Sequence, residues 1–375
     1  MSELGATAQL ALRTLRLEPT VGIPSWMLHI MEHAHLERLA GVAPGDYTRA
    51  PVRVYLAAQR AIGTCLLDQY IPDNPLTMGV GGYEGPRGAT TGAEQIVCDG
   101  LLIDSPEAVV EHLERFAFPR LRAEIAAFDH DRRVRDILDQ EAALQAILAP
   151  EMLKSGYGVV RFPCLGYGSY GYAAYFMAYA CYPEVIERHF ALQADLALLN
   201  NRAAAQAYVE GNLPPLYRLD HDMADSRGTL VRVESLDRLW FPHLARCLEP
   251  LLHAGVRMIW HCDGNLMRMV PRLLEVGVAG FQGFQYEDGM DYARICRMRT
   301  RDGDPLVIVA GSSVTRTLPY GSPADVKREL NWLVANGPPV GLLLGGSSSI
   351  APGVPWQNLA TLVEGLRYYR EHGRG

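Results

Sequence analysis

The chain has 375 residues, 35 of them basic and 42 acidic, for a formal net charge of −7. That balance argues against a nucleic-acid or acidic-membrane ligand, since both demand a basic surface. Hydrophobic residues make up 49% and charged residues 21%, enough to bury a large core.

No apolar run reaches the roughly 18 residues of a membrane span. Met1 to Pro19 lacks the apolar h-region and small-residue cleavage site of a signal peptide. The expectation is a soluble, cytoplasmic protein. Seven scattered cysteines without a C-x-x-C do not make a disulfide framework. Only Lys154 and Lys327 are lysines. Lys327 falls in a helical pattern, and Lys154 is read as preceding a strand. Neither sits where a barrel enzyme would place a Schiff-base amine.

In chain order, eight short apolar, β-branched or aromatic runs read as strands: 21–29, 64–71, 158–166, 216–222, 256–262, 278–285, 306–311 and 340–346. Helical patterns lie between them. A helical stretch precedes the first strand as an N-terminal extension. The glycine-rich segment 73–105 (Gly79, Gly81, Gly82, Gly85, Gly88, Gly92) reads as a hairpin or lid excursion. Residues 106–150 read as charged helix. Ser235 caps a helix over 236–254, Ser322 with Pro323 caps another, and Pro355 opens the last. Eight strands alternating with helices predict a (β/α)8 barrel, one domain over 1–375, with an open doubly wound sheet as the alternative.

Barrel chemistry sits at the C-terminal strand ends. Those ends offer His29 and His33; Asp68 and Asp73; Tyr167, Ser169, Tyr170 and Tyr172; Asp220, His221 and Asp222; His261, Cys262 and Asp263; Gln282, Gln285 and Glu287; Ser312 and Ser313; and Ser347, Ser348 and Ser349. His261 and Asp263 share a side if the strand continues through them, which makes an acid/base or metal pair. His29 and His33 have the i, i+4 spacing of two imidazoles on one helix face. The Tyr167–Tyr170 stretch could form a pocket wall, and Asp220-His221-Asp222 could equally be a network that closes a strand end.

Four blocks then carry a resemblance: "GIPSWM" (22–27), "LDHDMADSRGTLVRVESLDRLWFPHL" (219–244), "HCDGNLMRMVPRLLEVGVAGFQ" (261–282) and "DVKRELNWLVANGPPVGLLLGGSSSIAPGVPWQNLATLVEGLRYY" (325–369). In these the chain resembles the uroporphyrinogen decarboxylase superfamily, as a divergent member. The resemblance implies a (β/α)8 barrel with its site at the mouth. Where porphyrin decarboxylases carry substrate-binding arginines, this chain has His29 and His33, so a substrate so rich in carboxylates as uroporphyrinogen III loses its charge partners. Zinc methyltransferases of the superfamily carry His-x-Cys after the fifth strand and a second cysteine after the eighth. Here His261 stands, Asp263 replaces the first cysteine and Ser348 the second.

The expected function is therefore a methyltransferase or demethylase for a small methylated substrate, with a corrinoid on a partner protein as acceptor. Asp220, Asp222, His261, Asp263 and Glu287 are its catalytic candidates. Tyr167, Tyr170, His29, His33, His221, Gln285 and Ser348 are its substrate contacts. His261 and Asp263 are the metal candidates, with zinc the ion the resemblance suggests. Dimers are common in the family. The alternatives are a cofactor-independent decarboxylase or lyase on a small acid, and a non-catalytic binding barrel.

Overall fold

The computed structural model describes residues 4–79, 82–85 and 87–374; Gly81 of the glycine-rich segment lies outside them. The chain is an α/β fold. Five parallel strands form its main sheet in the order Leu342–Gly346, Val307–Ser312, Val278–Gln282, Arg257–His261 and Leu216–Asp220. The last three in sequence are buried throughout, as befits parallel strands covered on both faces. Their backbones also approach closely: a Cβ on Gly311 would lie 2.0 Å from the Gly346 carbonyl carbon.

A second parallel pair, Leu66–Leu67 with Leu153–Lys154, stands beside this sheet. Isolated parallel bridges connect the two. Ser25 pairs with Leu344, Trp26 with Leu66, and Gly156 with Tyr217. Helices alternate with the strands, among them Phe241–His253, Pro323–Asn336 and Trp356–His372. One hydrophobic cluster runs from Ala8 in the N-terminal helix Ala6–Leu15 to Leu366 in the last. No helix among the described residues is long and apolar enough to cross a membrane.

Several local expectations need correction. The run 158–166 is buried in part but is not a strand. Its backbone is claimed by side chains of the long helix Pro183–Glu210: Asn200 donates to the Val159 carbonyl at 2.9 Å, and Asn201 holds both the N–H and the carbonyl of Arg161. The third strand is instead Leu153–Lys154, so Lys154 lies in it rather than before it. The segment 21–29 makes only bridges, because Pro24 has no N–H to give a ladder. Tyr167 and Tyr170 lie in a helical turn, Tyr167–Tyr170, not at a strand end. Ser235 is inside the helix Val233–Leu239, with Arg232 as cap, and its hydroxyl meets Tyr179.

Other expectations hold. Ser322 and Asp325 form a reciprocal capping box, and Pro355 caps the last helix. The glycine-rich excursion carries two short hairpins, Met78–Gly79 with Gly82–Tyr83 and Val97–Cys98 with Leu101–Leu102.

Lys154 is 2% exposed, and its amine bonds Glu141 (3% exposed) at 3.1 Å as well as the Ser155 carbonyl. Breaking such a pair leaves a lone buried charge. Glu141→Leu should therefore cost about 3–5 kcal/mol, and the double variant Lys154→Met/Glu141→Leu should recover most of it, as read by denaturant unfolding. An equally unstable double variant would show that the pair is not the cause.

His189 packs on Phe118 at 6.1 Å and takes a hydrogen bond from Gln193. Burial, with a smaller push from His112, lowers its pKa to about 4. The unfolded chain thus holds more protons on this group below about pH 6.5, and stability falls from there until pH reaches the folded value, by up to about 3 kcal/mol. Melting measured from pH 7 down to about 5 should show that loss, and His189→Gln should make the slope shallower. An unchanged slope in the variant would exclude this histidine as the source.

Candidate active site

The strand register brings three polar residues side by side. His261 aligns with Asp220 on one neighbour and with Gln282 on the other. Beyond His261 the chain turns at Gly264, whose φ is +90° and whose Cβ position lies 2.6 Å from the Asp225 carbonyl oxygen. Only glycine fits there without strain. The turn delivers the Asp263 N–H to the Asp222 carboxylate at 2.9 Å. It also places the Asp263 carboxylate between two donors, the Gln285 amide at 3.3 Å and the Ser348 hydroxyl at 3.2 Å. Gln285 in turn accepts from the Gly264 N–H at 2.6 Å. The residues at the two positions that the resemblance equates with thiolates, Asp263 and Ser348, therefore meet.

Asp222, His261 and Asp263 each offer a ligand atom, and these atoms lie within 4.8 Å of one another. Burial raises the Asp263 carboxyl above the usual range; Asp222 and Asp220 push the same way, against His261 and Ser348. His261 is 8% exposed and its Nδ1 is buried without a partner. That nitrogen faces Gly283, where a Cβ would sit 2.4 Å away.

His261 and Ser348 form part of the wall of a cleft of about 660 Å³. The same cleft is lined by Trp26, His29, Tyr70, Asp73, Asn74, Tyr157, Arg218, Asp220 and Gln282, among others. Arg218 is 6% exposed and lies between two carboxylates, with Nε donating to Asp68 at 2.6 Å and Nη1 to Asp220 at 2.8 Å. His29 takes a hydrogen bond from Asn74 at Nε2 (3.0 Å), which leaves its proton on Nδ1 for Ser349 (2.9 Å). Burial lowers its pKa to about 4, with Arg218 adding to the effect and Asp68 opposing it.

The other candidates lie apart. His33 does not share a helix face with His29, which precedes the helix His33–Ala40; its ring bonds the Pro75 carbonyl and stacks on Tyr47. His221 accepts the Leu165 N–H at 2.9 Å and stacks on Tyr167, with burial lowering its pKa to about 4. Tyr167 donates to the Asp222 carbonyl, and Tyr170 bonds His112. Glu287 accepts the Ser313 and Thr315 hydroxyls and does not join the Asp222–His261–Asp263 group.

Several residues escaped the sequence reading, among them Arg218, Gly283 and, on the cleft wall, Trp26, Tyr70, Asn74 and Tyr157. Arg218 is two positions before Asp220 in one strand, so both side chains face the same way; an arginine inside "LYRLD" was the available signal. Nothing in "GFQGFQ" singled out Gly283.

Residues 221–369 match the family described as Uroporphyrinogen decarboxylase (URO-D). No curated protein matches the chain. Among solved structures, a methyltransferase from Methanosarcina mazei is similar with a TM-score of 0.58 and 15% identity, over 97% of this chain and 98% of that one. The likeness extends the shared fold across the whole chain, and the family match covers the stretch that carries Asp222, His261, Asp263 and Ser348.

Proposed function

We propose that the chain is a methyltransferase or demethylase for a small methylated compound, with a corrinoid carried by a partner protein as the methyl acceptor. The observation that carries this reading is the Asp222–His261–Asp263 group set beside a cleft large enough for a small molecule. We further infer that the eight strand segments close into a (β/α)8 barrel. The three bridges at Ser25, Trp26 and Gly156 support that closure, since they link the outer strands of both sheets in one cyclic order.

Methyl transfer asks little of the protein. The methyl carbon must face the acceptor, and the leaving heteroatom must depart as a neutral molecule. The reduced corrinoid supplies the nucleophile. Asp263, raised by burial and steadied by Gln285 and Ser348, manages the proton of the leaving atom. His261 sits beside it, and Asp222 fixes the turn through the Asp263 N–H.

The same residues also fit a divalent ion: one imidazole and two carboxylates within reach, with His261 Nδ1 lacking any partner. Such a set is harder than a thiolate site. A zinc ion held by Asp222, His261 and Asp263 would act as a Lewis acid on the leaving heteroatom.

A decarboxylase for a small acid is the second reading; the match of residues 221–369 to the uroporphyrinogen decarboxylase family favours it.

The test incubates the purified chain with a chemically reduced corrinoid and a panel of methylated amines and methoxy aromatics, and follows demethylated product by mass spectrometry. Product should form with at least one class, and Asp263→Asn should slow it by roughly 10²–10⁴-fold, the range of a proton-transfer group. No product across the panel, or an unimpaired Asp263→Asn variant, would overturn the reading.

A further inference from the structure

The cleft wall carries more acid than base. Asp73 and Asp220 line it, Asp68 stands directly behind Arg218, and Asp222 and Asp263 lie beside His261. Among the described residues on the wall Arg218 is the one arginine or lysine. Its charge is already matched twice, by Asp68 and by Asp220, so at formal charge the three together are negative. His29 adds nothing positive at neutral pH, since burial holds it unprotonated. A divalent ion on Asp222 and Asp263 would cancel those two carboxylates and still leave Asp68, Asp73 and Asp220 against one arginine. The excess of acid thus survives either state of the metal question.

A second observation concerns hydrogen bonding. Gln282 lines the cleft and is 8% exposed. Its amide nitrogen donates to the Ser347 carbonyl at 3.3 Å, which fixes the amide's orientation, and its Oε1 is left buried without any partner. An orphaned buried acceptor is costly, and what relieves it is an N–H or O–H donor. Gln282 aligns with His261 on the neighbouring strand, and Asp220 aligns with His261 on the other side. Apolar cover comes from the far wall, where Trp26, Tyr70 and Tyr157 line the same space. Tyr157 already has a cation over its ring, with the Arg218 guanidinium 5.9 Å from the centroid.

We propose that the substrate of this cleft is a protonated methylated amine, its N–H and charge met by Gln282 and Asp220 and its apolar body set against Trp26, Tyr70 and Tyr157. Only the chemical step rests on the methyl-transfer reading; the binding does not. In that step the C–N bond breaks, and its electron pair stays on nitrogen together with the proton. The amine leaves neutral, and the methyl carbon passes to the corrinoid nucleophile. The proton thus arrives with the substrate and leaves on its nitrogen, so for this substrate class Asp263 has no proton to deliver.

Titration calorimetry on the full chain at neutral pH, with and without chelator, tests the proposal with three matched probes. N,N-dimethylethanolamine is the cation, 3-methyl-1-butanol its neutral isostere and 3-methylbutanoate the anion. The cation should bind at least about tenfold tighter than the alcohol. Asp220→Asn should weaken the cation by about five- to tenfold and leave the alcohol unchanged. Because Asp220 also pairs with Arg218, the exposed Asp73→Asn variant, checked for an unchanged melting point, should weaken the cation in the same direction. Equal binding of cation and alcohol, tightest binding of the anion, or no binding of any probe would each overturn the proposal. Tightest binding of the anion would also favour the decarboxylase reading. Binding of the cation without methyl transfer to any corrinoid would uphold the substrate class and sink the methyl-transfer reading.

Discussion

An arginine that faces the interior of a parallel sheet cannot stay there alone, because an unpaired buried charge costs several kcal/mol. Arg218 meets that constraint with Asp68 from the end of the Leu66–Leu67 strand and with Asp220 from its own strand. The arrangement ties the short strand pair to the main sheet on the inner face, where the backbone supplies only a single bridge between Gly156 and Tyr217. It also sets the sign of the cleft. Two carboxylates are needed to seat one guanidinium, so the solution to a packing problem leaves surplus negative charge where a ligand would lie. His29 feels the same guanidinium as one of the influences that hold it neutral.

Beside His261, rigidity comes from hydrogen bonds between turns. The turns after three adjacent strands interlock: Asn265 donates to the Asp225 carbonyl, Asp263 to the Asp222 carboxylate, and Gly264 to Gln285. Two of these bonds reach the segment after the Leu216–Asp220 strand and one reaches the segment after Val278–Gln282, so the turn that carries the Asp263 carboxylate is held from both sides. A polar group held this way needs little reorganisation when charge develops beside it.

Much of this was legible in the sequence where the signal was periodic or chemical. The five main strands, the capping box at Ser322 and the segment around His261 follow from apolar runs and cap residues. The third strand was misplaced because Val159 and Val160 look like strand residues, whereas the Val159 carbonyl is satisfied by Asn200 and Arg133 from distant helices and that of Val160 by the Tyr217 hydroxyl; no local pattern encodes such partners. His29 and His33 kept their spacing but not a common face, because the helix starts only at His33. Glu287, read by position alone, turned to Ser313 and Thr315 instead of His261. The chain order of strand ends says which residues share a rim; the direction of each side chain depends on turns such as Gly264 and Gly283, whose positive φ values are set by close contacts across the sheet.

The chain's two lysines live in opposite worlds. Lys154 is sealed in the core with Glu141, while Lys327 stands exposed on the helix Pro323–Asn336. An amine-reactive dye or cross-linker applied to the folded protein therefore meets one side-chain amine. The fold thus exposes one side-chain amine for fluorescence labelling or surface immobilisation, on a helix that contributes no residue to the cleft wall.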